Sequence, residues 1–90
     1  MQQNNFLDEL YEAILTLKTV EECRQFFKDV CTPKEMDAIA QRYVVAKMLN
    51  EKSVYKDIVE KTGASTATIS RVSRSLDEGL LLVFERLNEK

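Results

Sequence analysis

The chain has 90 residues and a formal net charge of −2, with 44% hydrophobic and 31% charged residues. This length accommodates one domain, and the balance of apolar and charged residues is that of a globular chain rather than a disordered one. No apolar run reaches the roughly 18 residues of a membrane span, and the N-terminus lacks the basic and then apolar order of a signal peptide. We therefore expect a single cytoplasmic domain over residues 1–90, with no membrane partner.

The composition and the apolar spacing predict an all-α fold. Two glycines and one proline are too few for a chain of strands and turns. Apolar residues at helical spacing predict a first helix at about residues 5–17. A second helix is expected to begin at Thr19, because Glu22 stands three residues later and completes a capping box. Its predicted apolar face carries Cys23, Phe26, Phe27 and Val30.

The segment "TPKE" at residues 32–35 marks the clearest helix start. Thr32 is placed to cap the helix, Pro33 occupies the first helical position, and Glu35 completes a second capping box. The helix is expected to run to Leu49. The residues predicted to face inward are Met36, Ile39, Ala40, Tyr43 and Val44.

Two short helices and a final apolar helix are predicted to follow. Ser53 is expected to cap a helix over residues 54–61, and Gly63 to end it. The next helix is predicted from Ser65 or Thr66 to about residue 77, and Gly79 is expected to break the chain before a last helix over "LLLVFERL". The wide apolar stripes at both ends exceed what a small monomer can hide. We therefore expect an intertwined homodimer whose dimerisation elements span about residues 5–49 and 80–88.

A short helix, a turn at a glycine and a second helix that begins with small polar residues form the pattern of a helix-turn-helix, here over about residues 54–77. Gly63 would supply the positive φ angle of the turn. The apolar residues predicted to be buried between the two helices are Ile58, Ala64, Ile69 and Val72.

The second helix of this motif has the features of a DNA-binding surface. Residues 61–76 contain three basic residues and no acidic one, so the rest of the chain carries a net charge of −5. Short hydroxyl and methyl side chains can approach base edges and thymine methyl groups, while basic residues contact phosphates. The predicted outward face comprises Ser65, Thr66, Ala67, Thr68, Ser70, Arg71, Arg74 and Ser75. The predicted DNA-binding residues are Lys56, Lys61, Ser65, Thr66, Ala67, Thr68, Ser70 and Arg74. An ordinary capped helix with solvated arginines is the alternative interpretation.

The segment "TPKEMDAIAQRYVVAKML", followed by "DIVEKTGASTATISRVSRSL", resembles the tryptophan repressor family. It is most similar to the YerC/YecD type found in Gram-positive bacteria, and the specific part covers about residues 32–76. The resemblance implies a six-helix all-α fold with a helix-turn-helix and an intertwined homodimer. It also implies a role as a repressor on double-stranded DNA. The second helix of each motif would enter successive major grooves of a near-palindromic operator, a docking already known for the tryptophan repressor itself.

The resemblance also implies a corepressor pocket. In the family the indole of the corepressor lies between two arginines, whose places Arg42 and Arg71 take here, while Thr32 matches a residue at the pocket edge and Ser75 a hydroxyl near the polar end of the ligand. Guanidinium groups can stack on a ring or pair with a carboxylate, which suits L-tryptophan or another small effector. Val72 stands where the repressor has a glycine, and its branched side chain could fill the ring slot. No other cofactor and no metal site is indicated.

The sequence also bears on two other classes of function. An enzyme is not expected, because the chain has no histidine, no glycine-rich phosphate loop and no metal-binding constellation. A helical protein-interaction module that has lost specific DNA binding stays open. The overall acidity allows it, and so does Val59, which stands where helix-turn-helix motifs usually hold a smaller residue.

Overall fold

The structure, a computed structural model of the chain, describes residues 3–89. Residues 1, 2 and 90 of the predicted domain lie outside the described residues. Six α-helices and no strand are present within the described range, so the all-α fold class is confirmed. The helices are α1 (Gln3–Ile14), α2 (Val20–Val30), α3 (Pro33–Asn50), α4 (Tyr55–Thr62), α5 (Thr66–Ser75) and α6 (Glu78–Asn88). The chain forms two compact units, one up to Met36 and one from Asp37 onward.

In the first unit, α1 ends earlier than predicted and α2 begins as predicted. The chain leaves α1 at Ile14, and the Thr16 hydroxyl donates to the carbonyl of Ala13 at 2.7 Å, which closes the turn. Thr19 caps α2, since its hydroxyl accepts a hydrogen bond from the Glu22 backbone N–H at 3.0 Å. The capping box is displaced by one residue, because the Glu22 carboxylate accepts from the Lys18 N–H rather than from that of Thr19.

The start of α3 forms a complete capping box. The Thr32 hydroxyl accepts from the Glu35 N–H at 3.1 Å, and the Glu35 carboxylate accepts from the Thr32 N–H at 2.8 Å. Two backbone donors that a helix end leaves without partners are thereby satisfied. Pro33 occupies the first helical position, where its missing N–H costs nothing. The predicted boundary is confirmed.

The core of the second unit is built from α3, α4, α5 and α6 around the turn at Gly63. Its buried side chains are Val45, Ala46, Ile58, Ala64, Ile69, Val72 and Phe84, none more than 6% exposed. Tyr43 packs against Phe84 with ring centroids 5.7 Å apart, which joins α3 to α6. The four residues predicted to lie between the helices of the motif are all in this core, as expected.

The predicted inward face of α3 was wrong in part. Val45 and Ala46 are fully buried, whereas Ala40 is exposed and Ile39 is 48% exposed. Apolar residues surround the C-terminal half of α3 on several sides. Spacing alone therefore does not identify the side that meets α4 and α5.

Two predicted helix starts were also wrong. Ser53 does not cap α4, which begins at Tyr55 after Val54 and has no side-chain cap. The reason is local, because Lys52 adopts a positive φ of 67° and the Ser53 N–H is bonded to the carbonyl of Met48, so Ser53 belongs to the end of α3. Gly79 does not break the chain, since it lies inside α6, whose start is set by Asp77 accepting from the Glu78 N–H at 2.8 Å.

Candidate nucleic-acid interface

The turn between α4 and α5 is fixed by backbone conformation and by the side chain of Thr62. Gly63 adopts a φ of 74°, in the left-handed region, and its N–H donates to the carbonyl of Val59 at 2.9 Å. The Thr62 hydroxyl donates to the carbonyl of Ile58 at 2.7 Å and accepts from the Ala64 N–H at 3.1 Å. The bond from Gly63 satisfies the Val59 carbonyl, one of the last four carbonyls of α4, which have no partner within the helix.

A side chain of α3 holds the same turn from outside. The Gln41 amide donates to the carbonyl of Thr62 at 3.1 Å, across 21 residues of sequence. Ala64, the next residue but one, is 2% exposed and packs in the core. The turn is therefore attached to α3 by a hydrogen bond and by apolar contact, which fixes where α5 begins.

The first turn of α5 is capped by Ser65. Its hydroxyl accepts from the Thr68 N–H at 3.1 Å and donates to the Thr68 hydroxyl at 3.2 Å. Ile69 and Val72, three residues apart on one side of α5, are buried against α4 and α3. The opposite side of α5 is consequently presented to solvent in a defined orientation.

Most of the residues predicted to contact DNA lie on this exposed side. Ser65, Thr66, Ala67 and Arg74 are exposed, as are Lys56 and Lys61 of α4 and the predicted corepressor residue Arg71. Thr68 and Ser70, in contrast, are half-buried, so less of each side chain faces outward than predicted. The reason for Thr68 is its bond to the Ser65 hydroxyl, which holds it against the start of the helix.

The net positive charge of the two helices of the motif comes from α5. The helix carries Arg71 and Arg74 and no acidic residue. In α4 the charges of Lys56 and Lys61 are balanced by Asp57 and Glu60. The sequence-based prediction missed this balance, although the letters "YKDIVEKT" show it. It also missed Ser73, an exposed hydroxyl on the C-terminal half of α5.

Three of the four predicted corepressor residues line one cleft between α3 and α5. The cleft has a volume of about 430 Å³. Its lining residues are Ala38, Gln41, Arg42, Thr68, Arg71, Val72 and Ser75. Neither arginine has an ion-pair partner among residues 3–89. The lining includes no carboxylate, so the cleft offers hydrogen-bond donors suited to an anionic group.

Val72 forms part of the wall of this cleft without closing it. Its side chain is 6% exposed and belongs to the buried core, and the cleft is open beside it. The Ser75 hydroxyl already donates a hydrogen bond within the protein, to the carbonyl of Val72 at 3.2 Å. The fourth predicted residue, Thr32, lies in the first unit, where its hydroxyl accepts from the Glu35 N–H. Gln41 and Ala38 are lining residues that the sequence-based prediction missed.

Replacing Gly63 by alanine is expected to destabilise the chain by about 1 kcal/mol. A Cβ atom at this position meets nothing within 4 Å, so the cost is conformational. The left-handed conformation costs a residue with a Cβ atom about 1–2 kcal/mol, of which about 0.4–1 is offset by the reduced freedom of the unfolded chain. Chemical denaturation measures the difference. Gly79→Ala is the matched control, and it is expected to stabilise by about 0.5–1 kcal/mol, because Gly79 lies in a helix with open space around it. If both variants changed the free energy of unfolding in the same direction, the left-handed conformation assigned to Gly63 would be contradicted.

The described residues show neither a metal site nor a membrane span. No cluster of three or more histidine, cysteine, aspartate or glutamate side chains there could hold a metal ion. Within the same part of the chain, no helix is both long and apolar enough to cross a bilayer.

Comparison with known proteins places the chain among close relatives. A model of the Trp repressor protein family matches residues 5–82. The chain is 55% identical, over 73 residues, to the uncharacterized protein YerC of Bacillus subtilis (strain 168). The matched region covers 81% of this chain and 70% of that protein. A TrpR-like protein from Eubacterium eligens ATCC 27750 superposes with a TM-score of 0.91 at 53% identity, covering 96% of this chain and 92% of the other. A proposed Trp repressor from Staphylococcus aureus gives a TM-score of 0.88 at 45% identity, covering 100% and 97%.

Proposed function

The chain belongs to the Trp repressor protein family, and we propose that it is a sequence-specific DNA-binding transcriptional regulator that acts as a repressor. The observation that carries the proposal is α5, a capped helix without acidic residues whose buried side is fixed by Ile69 and Val72. A helix held in this way can enter a major groove with its exposed side against the bases. The family membership supports the same role.

The residues of the motif divide into two kinds of contact in this proposal. Arg74, Lys56 and Lys61 neutralise phosphates, which gives affinity without sequence information. The small side chains at the start of α5 approach the base edges and determine sequence preference. They are Ser65, Thr66, Ala67, Thr68 and Ser70. The half-buried Thr68 and Ser70 contribute only through the part of each side chain that faces outward.

The protein acts as a homodimer in this proposal, on a near-palindromic operator. Support comes from exposed apolar side chains that a single chain does not cover. In α6 they are Leu81, Leu82, Val83 and Leu87, each 44–48% exposed. A second copy related by a two-fold axis would cover such surfaces and present two reading helices to successive major grooves.

A small effector occupies the cleft between α3 and α5 in this proposal. The guanidinium groups of Arg42 and Arg71 form no ion pair with residues 3–89. Together with the Ser75 hydroxyl they suit an amino-acid-like ligand, whose carboxylate would accept from the arginines. L-tryptophan is the first candidate to test. The ligand would contact α3 and α5 together and so bias the position of the reading helix.

A protein-interaction module is the second candidate, favoured by the charge of α4. Asp57 and Glu60 cancel Lys56 and Lys61, and a neutral α4 attracts DNA less strongly than a basic one. In that case the exposed side of α5 would bind an acidic protein surface rather than a nucleic acid.

The test is selection of binding sites from random genomic fragments by the purified protein, with and without aromatic amino acids. We expect retention of fragments that share a near-palindrome, and stronger retention when an effector is present. Retention without a shared sequence would contradict sequence-specific binding. No retention even at low salt would favour the interaction module.

A further inference from the structure

Gln41 of α3 belongs both to the cleft and to the support of the turn. The half-buried residue lines the cleft between α3 and α5, and its side-chain amide donates to the carbonyl of Thr62 at 3.1 Å. The other side-chain hydrogen bonds within residues 33–75 join residues at most four apart in sequence. The bond from Gln41 is therefore the one that crosses from α3 to the helix-turn-helix.

The chemistry of the two partners determines which amide group makes this bond. Thr62 is the last residue of α4, so its carbonyl has no partner within the helix. A carbonyl only accepts, and Gln41 must therefore present an N–H to it. The amide has a second N–H and an oxygen, and Gln41 makes no further hydrogen bond with residues 3–89. A ligand can contact these two groups while the first N–H holds the turn.

The charged residues of the cleft bring an anion close to this amide. Gln41 and Arg42 lie three and four residues after Ala38, so the three share one face of α3. Arg71 lines the same cleft from α5. An anionic group that pairs with the two guanidinium groups is consequently held near Gln41, where it can accept from the second N–H.

We propose that Gln41 is a positioning residue that couples occupancy of the cleft to the order of the turn. A glutamine side chain loses much rotamer freedom when it is held in place. A bound anion that holds the amide on one side lowers the entropic cost of the bond to Thr62 on the other. The start of α5 is then better ordered. The proposal rests on the effector cleft of the proposed function and identifies the residue through which a ligand acts on the reading helix.

An anion tethered in the cleft replaces the natural ligand in the test. Ala38 is exposed, and the native Cys23 and Cys31 are free and half-buried. The Ala38→Cys variant in a Cys23→Ser/Cys31→Ser background is treated with sulfonatoethyl methanethiosulfonate. The thiolate attacks the thiosulfonate, forms a mixed disulfide and releases methanesulfinate, which leaves a sulfonate beside Gln41 and Arg42. Methyl methanethiosulfonate forms the same disulfide without a charge and is the matched control.

Hydrogen exchange of backbone amides reports the order of the turn without any need for DNA. The Gly63 N–H is bonded to the carbonyl of Val59, and the Ala64 N–H to the hydroxyl of Thr62. Both exchange when the turn opens, and we expect the sulfonate label to slow them by on the order of fivefold relative to the methyl label, at one pH. The N–H of Leu81, bonded at the start of α6, should exchange equally with either label.

Replacing Gln41 by methionine separates coupling from simple support of the turn. Methionine is unbranched and has no amide group. Gln41→Met should speed the exchange of Gly63 and Ala64 with either label, and it should reduce the ratio between the labels to one. Gln41→Glu keeps the size of the side chain without an N–H and should give a ratio of one or less. A fivefold ratio that persists in these variants, or a ratio of one with Gln41 present, would overturn the proposal.

Binding to a selected DNA fragment separates failure of the coupling from failure of the proposed function. The sulfonate label should strengthen binding relative to the methyl label more in the protein with Gln41 than in the Gln41→Met protein. Direct repulsion between the sulfonate and DNA phosphates is shared by both proteins and cancels in this comparison. Slowed exchange that depends on Gln41, without any DNA binding, would support the coupling and contradict the DNA-binding role. Specific DNA binding with exchange ratios of one would overturn the coupling alone.

Discussion

Replacing Ile69 by alanine is expected to lower the free energy of unfolding by about 2–5 kcal/mol. Ile69 is completely buried, in the same core cluster as Ile58, Val72 and Val45. The change removes three carbon atoms and leaves a cavity in the small core that orients α5. Domains are stabilised by only about 5–15 kcal/mol in total, so the loss is a large fraction. Urea denaturation followed by circular dichroism, at a fixed protein concentration, measures it.

Two valine-to-alanine variants, one at a buried and one at an exposed position, control for the loss of side-chain carbon atoms. Val45 is completely buried and Val54 is 60% exposed. Val45→Ala should be clearly destabilising, whereas Val54→Ala should change the free energy of unfolding by less than about 0.5 kcal/mol. A loss below about 1 kcal/mol for Ile69→Ala would mean that α5 does not pack as described.

Replacing Arg74 by alanine is expected to weaken DNA binding by on the order of tenfold and to make its salt dependence shallower. Arg74 is exposed in the last turn of α5, on a helix without acidic residues. Each phosphate contact contributes about 0.9 to the slope of log K against log salt, and a homodimer loses two contacts. The slope should therefore change by about two units. Fluorescence anisotropy of a labelled operator at several salt concentrations measures both quantities.

Two further variants separate the roles of charge and shape. Arg86→Ala removes the same charge from α6 and should leave the slope unchanged, provided that light scattering shows an unaltered dimer. Thr66→Ala should leave the slope unchanged but alter which bases are preferred, because a hydroxyl near base edges contributes sequence information. Identical behaviour of the Arg74 and Thr66 variants would contradict the division into phosphate and base contacts.

Local signals in the sequence were sufficient for several features of the fold. The Thr32 and Glu35 side chains form the predicted box, Gly63 has the predicted positive φ, and Ser65 caps α5. Each of these depends on atoms a few residues apart, so the neighbouring letters determine the outcome. The burial of Ile69 was also predictable, because the turn and the helical spacing together fix its side.

Features that depend on distant contacts were not predictable in the same way. The spacing of apolar residues in α3 did not reveal that Val45 is completely buried in the core of the motif, whereas Ile39 is 48% exposed. Nothing in the sequence near Gln41 indicates that its amide reaches the carbonyl of Thr62. In both cases a contact made elsewhere in the fold outweighed the local preference. The error at Gly79 was of another kind, because the Asp77 side chain caps α6 two residues before the glycine and is itself a local signal.

The hydrogen bond from Gln41 to Thr62 limits how the helix-turn-helix could be moved onto another protein. An engineer who moved residues 54–77 onto another scaffold would leave behind the amide that holds the turn, together with the floor supplied by Val45 and Ala46. The graft would carry every side chain proposed to contact bases and still present α5 at an undefined angle. For redesign of specificity, the exchangeable part is therefore the exposed side of α5 alone, and the smallest portable unit includes α3 from at least Gln41 onward.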